Sequence, residues 1–94
     1  MKILVIDDDP AMTDLLKLIL VSTDAEIITA NSGSEGLRKV RDFSPTIVIL
    51  DLMMPDKDGW QITSEIRTFS KVPILILSVI DNPGLVARAL DAGA

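Results

Sequence analysis

The run Thr46-Ile47-Val48-Ile49-Leu50 carries β-branched and aliphatic side chains straight into Asp51, and Pro55 and Asp58-Gly59 mark the loop that follows. A strand with one wet face alternates polar and apolar residues, because successive side chains point to opposite sides of the sheet. An unbroken apolar run of this length reads instead as a strand buried on both faces, as in a parallel sheet covered by helices. Asp51 then stands at the C-terminal end of that strand. In open α/β sheets this is the edge outside which ligands bind.

The rest of the chain alternates strand and helix signals in the same sense. Lys2 to Ile6 reads as a buried strand ending in Asp7-Asp8-Asp9. Pro10 suits the first position of a helix, with Asp9 as its N-cap, and the helix is expected to run to about Val21 with Met12, Leu15, Leu16 and Ile19 inward. Ala25 to Ala30 is a second strand, and Glu26 and Thr29 break its apolar pattern as expected near a sheet edge. Asn31-Ser32-Gly33-Ser34 offers caps for a helix through Asp42, weakened by Gly36, with Leu37 and Val40 inward; Ser44-Pro45 stops it. After Asp51 the spacing predicts a helix over Gly59 to Phe69, with Ile62, Ile66 and Phe69 on one stripe. A strand from Ile74 to Ser78 follows, then a helix opening at Asp81-Asn82-Pro83 and closed by Gly93. This βαβαβαβα order implies a doubly wound α/β sheet with right-handed crossovers and helices on both faces.

Composition narrows the chemistry. At 94 residues there is room for one small domain, and three aromatics leave its core aliphatic. A net charge of -5 argues against direct binding of a nucleic-acid backbone by this segment. With neither Cys nor His, thiolate and imidazole chemistry and the usual zinc sites are excluded. No apolar stretch approaches membrane-spanning length, so the expectation is a soluble, cytoplasmic protein with no membrane partner.

Aligning the strand ends brings Asp7 and Asp8, Asp51 and Ser78 to one sheet edge. Clustered carboxylates repel one another, by roughly 4 kcal/mol per pair at about 4 Å for an effective dielectric near 20. A cation is therefore expected among them. Mg²⁺ accepts oxygen ligands and works beside phosphates, so it would let an anionic phosphoryl group approach a carboxylate nucleophile.

At this point the residues resemble the receiver domain of two-component response regulators. ILVIDDDP, IVILDLMMPDKDGW, Ile66-Arg67, PILILS and the closing ALDAGA follow that family's pattern over the whole chain. The resemblance implies a flavodoxin-like sheet of strand order 2-1-3-4 and a phosphoacceptor domain rather than an enzyme turning over a free substrate. It implies that Asp51 accepts a phosphoryl group from a phosphohistidine of a sensor histidine kinase. Asp8, Asp51 and the Met53 backbone carbonyl would bind Mg²⁺, Asp7 would act through water, and Ser78 would hydrogen-bond a phosphoryl oxygen. A DNA-binding output domain in a longer parent, with transcription as the regulated process, is a further expectation.

The family pattern continues with a fifth strand bearing a Lys, then a fifth helix, neither of which lies within residues 1–94. The chain is thus expected to be a C-terminally truncated receiver, with an open edge at its fourth strand and apolar surface that favour a homo-oligomer or exchanged dimer. Without that Lys, a phosphorylation-independent interaction module is the alternative reading. Val79, where the family usually has a small residue, is expected to narrow the route to Asp51. A third reading comes from Asp7-x-Asp9 after a strand, which resembles the nucleophile and acid/base pair of haloacid dehalogenase-type phosphatases, although Pro10-Ala11 does not continue that motif.

Overall fold

The apolar runs do assemble into one parallel sheet in the computed structural model, which describes residues 1–51 and 58–76. The elements are β1 (Lys2–Ile6), α1 (Pro10–Leu20), β2 (Glu26–Ala30), α2 (Gly33–Phe43), β3 (Ile47–Leu50), α3 (Gly59–Arg67) and β4 (Ile74–Ile76). Their order across the sheet is β2-β1-β3-β4, the flavodoxin-like arrangement expected above. β2, with its polar interruptions, is an edge strand and its first four residues are exposed or half-buried. Residues 77 and 78 of the expected fourth strand, and the expected helix from Asp81, lie outside the described residues.

Three side-chain caps set where the helices begin, each supplying an acceptor to an otherwise unpaired backbone donor of the first turn. Asp9 Oδ1 accepts from the Ala11 N–H at 2.9 Å, with Pro10 at the first helical position as expected. Ser32 Oγ accepts from the Glu35 N–H at 3.1 Å, and Asp58 Oδ1 from the Gln61 N–H at 2.8 Å. Asp9 is thereby engaged as the helix cap that its place before Pro10 predicts.

The sheet buries both faces, in unequal depth. Leu4, Ile6, Val48 and Leu50 point to one side and pack with Leu37 and Val40 of α2 and Ile62 and Ile66 of α3. Ile3, Val5 and Ile49 point to the other, where Leu16 and Leu20 of α1 cover them. The inward face of α1 is therefore Thr13, Leu16 and Leu20; of the expected set Leu16 packs on the sheet and Met12 is half-buried, while Leu15 and Ile19 are exposed. Apolar residues surround most of this helix, so periodicity does not choose its rotation; the strand-to-helix turn fixed by the Asp9 cap does. Phe69 also departs from expectation. α3 ends at Arg67, and Phe69 lies beyond it with its ring 4.3 Å from the Arg41 guanidinium, a cation–π contact with α2.

Gly36 has a structural purpose that its low helix propensity concealed. A methyl group added there would lie 2.6 Å from Ile6 Cδ1 and 2.9 and 3.0 Å from its Cγ1 and Cγ2, and Ile6 is fully buried. Only a residue without a Cβ lets α2 lie this close to β1. Gly36→Ala is expected to lower the stability of the chain by up to about 2 kcal/mol. The overpacking cost of about 1–3 kcal/mol exceeds the gain of about 1 kcal/mol in helix propensity. Thermal melts of the two proteins measure the difference, and a higher Tm for Gly36→Ala would contradict the close approach.

Candidate functional site

Strand register alone brings two of the predicted site residues side by side. Ile6 pairs with Leu50 in the β1–β3 ladder, so the residues that follow them, Asp7 and Asp51, leave the sheet as neighbours. Backbone bonds hold both exits: the Asp7 N–H donates to the Ala30 carbonyl and the Asp51 N–H to the Ile6 carbonyl, each at 3.0 Å. Asp8 follows in the turn to α1. One carboxylate oxygen from each of Asp7, Asp8 and Asp51 can be chosen so that all three lie within 4.8 Å of one another. Ile76 pairs with Leu50, so β4 also ends at this edge, while Met53, Ser78 and Val79 lie outside the described residues.

The three carboxylates differ in surroundings. Asp8 is exposed, Asp51 is partly buried, and Asp7 is buried at the sheet edge. Burial pushes the Asp7 carboxyl above its ordinary value of 3.8, and the Asp9 N–H that donates to Asp7 Oδ1 at 3.0 Å only partly offsets this. The charges of Asp51, Asp8 and Asp9 raise it further. A carboxylate destabilised by neighbouring carboxylates is what a cation would relieve. The donor set is all oxygen, which suits a hard ion such as Mg²⁺ rather than a zinc ion seeking nitrogen or sulfur.

A group whose folded pKa is raised holds its proton more tightly in the native state. Its contribution to stability is present below the unfolded pKa and is lost as pH rises through the folded one. In chelator at neutral pH, Asp7→Asn is therefore expected to raise the Tm, since the amide oxygen still accepts from Asp9 while the charge is gone. The gain should shrink as pH falls toward 3.8. An unchanged or lower Tm across this range would contradict the electrostatic crowding.

Two polar residues near the site were not singled out by sequence. Thr13, one turn into α1, is buried with its hydroxyl donating to the Pro10 carbonyl at 3.0 Å. Asn31, at the exit of β2, donates its side-chain amide to the Asp7 carbonyl at 2.9 Å and to Thr13 Oγ1 at 3.2 Å. A polar residue on the inner stripe of an otherwise aliphatic helix was the available signal for Thr13. A depression of about 300 Å³ lies at the opposite end of the sheet beside Ser44, Pro45 and Ser70.

The sequence model of the response regulator receiver domain matches residues 3–94. The chain belongs to that family. A crystal structure of a two-component response regulator from Clostridium difficile superposes with a TM-score of 0.95 at 28% identity, over 100% of this chain and 78% of that one. Among curated relatives, the transcriptional regulatory protein KdpE of Staphylococcus aureus is 38% identical over 93 residues, covering 99% of this receiver domain and 40% of the relative. A protein-glutamate methylesterase/protein-glutamine glutaminase of Desulfitobacterium hafniense is 41% identical over 97 residues, covering 98% of this chain and 24% of that protein. The receiver thus spans less than half the length of either curated relative. Among the described residues no helix is long and apolar enough to cross a membrane.

Proposed function

We propose that this receiver domain is the phosphoacceptor of a two-component phosphorelay, taking a phosphoryl group on Asp51 from a phosphohistidine of a sensor histidine kinase. The observation that carries the reading is the convergence of Asp7, Asp8 and Asp51 within 4.8 Å at the C-terminal edge of a parallel sheet. An Asp51 carboxylate oxygen forms a bond to phosphorus as the bond from phosphorus to the kinase imidazole nitrogen breaks. The electron pair of that bond stays with the imidazole. The product is an acyl phosphate that stores the signal without turnover of a free substrate.

Asp8 and Asp51, with the Met53 carbonyl, would hold Mg²⁺ directly and Asp7 would act through water. When bound, Mg²⁺ supplies the positive charge that offsets the carboxylates and the incoming phosphoryl oxygens. The Ser78 hydroxyl would donate to a phosphoryl oxygen. The 38% identity to a transcriptional regulator favours a DNA-binding output domain in the whole protein, controlled by the state of Asp51.

Calorimetric titration with Mg²⁺, alone and with beryllofluoride as a phosphoryl analogue, tests the site. The expected result is Mg²⁺ binding that supports analogue binding, with both weakened in Asp8→Asn. Mg²⁺ binding indifferent to Asp8→Asn would overturn the assignment.

A further inference from the structure

The hydrogen bonds of Asp7 are divided between two strands. β1 ends at Ile6, and the Asp7 N–H continues the ladder to Ala30, the last residue of β2. Beyond Ala30 the chain turns toward α2, whose N-cap is Ser32, so β2 departs just where the Asp7 carbonyl still needs a donor. The Asn31 side chain takes that place. One hydrogen of its amide goes to the Asp7 carbonyl at 2.9 Å and the other to Thr13 Oγ1 at 3.2 Å. Thr13 is 2% exposed and its own proton is committed to the Pro10 carbonyl, so it presents a fixed acceptor.

We propose that Asn31, braced by Thr13, is a positioning residue for the acidic site: it fixes the peptide plane between Asp7 and Asp8 and so aims the Asp8 carboxylate toward Asp51. The inference rests on the metal-binding reading given above. The peptide unit is planar, so anchoring the Asp7 carbonyl also fixes the direction of the Asp8 N–H and Cα. Within the turn the Asp9 N–H bonds Asp7 Oδ1 and the Asp9 cap bonds Ala11, while the Asp7 N–H ties the start of the turn to Ala30 and leaves its carbonyl side to Asn31. Asn31 ties the turn to a different strand, and Thr13 ties Asn31 to the first turn of α1. Asn31 reaches the turn through the Asp7 carbonyl, so it acts on the site through the backbone.

The test is calorimetric Mg²⁺ affinity for the parent, Asn31→Ala, Thr13→Val, Thr13→Ser and Asp8→Asn, with the Tm of each in chelator recorded beside it. Asn31→Ala is expected to weaken Mg²⁺ roughly three- to tenfold, the scale of one lost hydrogen bond. Its Tm in chelator should fall by several degrees as well, so affinities are compared well below the Tm of each variant, where all are folded and only positioning changes Mg²⁺ binding. Thr13→Val, nearly isosteric, should show a smaller loss of affinity and Thr13→Ser should restore it. Binding that requires Asp8 but is equal in Asn31→Ala and the parent overturns the positioning role alone. No Mg²⁺ binding by the parent, or binding that Asp8→Asn leaves intact, overturns the metal site and this role with it. Should Asn31→Ala fail to fold, the Thr13 pair decides: equal Mg²⁺ affinity in Thr13→Val and Thr13→Ser overturns the brace.

Discussion

Asp51→Asn is expected to abolish the uptake of phosphate from a phosphorylated sensor kinase, to the background of a mock reaction. The substitution keeps the size and planarity of the side chain and replaces an anionic oxygen nucleophile with a weakly nucleophilic amide. The Asp51 N–H bond to the Ile6 carbonyl belongs to the backbone and survives the change, so β3 stays in register. Removing one of three neighbouring charges also relieves repulsion, so the Tm in chelator should not fall. Loss of phosphate uptake with an intact fold is thus the expected pair of results. Undiminished labelling of Asp51→Asn would place the nucleophile elsewhere, Asp8 being the nearest exposed carboxylate of the cluster.

The largest effect on stability is expected from Ile6→Ala. Ile6 is fully buried between β1 and α2, in the larger of the two core clusters, and truncating such a residue costs about 2–5 kcal/mol. For a domain of this size each kcal/mol lowers the Tm by about 4–8 °C. The close contact with Gly36 makes the effect of a second substitution depend on the first. The methyl of Gly36→Ala would enter the space that Ile6 Cδ1, Cγ1 and Cγ2 occupy, which Ile6→Ala vacates. Gly36→Ala should therefore destabilise the parent and stabilise Ile6→Ala, there gaining about 1 kcal/mol of helix propensity along with part of the lost packing. Denaturant melts of the four proteins measure this coupling. Additive effects of one sign would show that α2 and β1 adjust freely around Gly36.

The features of this chain that could be read from its sequence are those set by local chemistry. Unbroken aliphatic runs such as Ile47 to Leu50 announced buried parallel strands, and Glu26 and Thr29 marked β2 as an edge. Asp9-Pro10 and Asp58-Gly59 announced helix starts, because capping is decided within a few residues. The acidic cluster was legible too, since parallel strands that end level must set Asp7 beside Asp51. Features set by packing were not legible. The rotation of α1 is ambiguous in a helix that is apolar on most sides, so Leu15 and Ile19 were expected inward and lie outward. Gly36 looked like a weak helix residue because its neighbour Ile6 is remote in sequence. Asn31 looked like one of several candidate helix caps because its two acceptors, the Asp7 carbonyl and Thr13 Oγ1, are remote in sequence.

The measurement that tests the central claim most directly is the location of the phosphoryl group in the parent protein. The sample is incubated with phosphorylated kinase, with and without Mg²⁺, and its peptides are mapped by mass spectrometry. The account predicts one acyl phosphate, on the peptide carrying Asp51, formed only with Mg²⁺. A phosphoryl group on Asp8 or on a residue outside the acidic cluster, or its formation in chelator at an undiminished level, would contradict it.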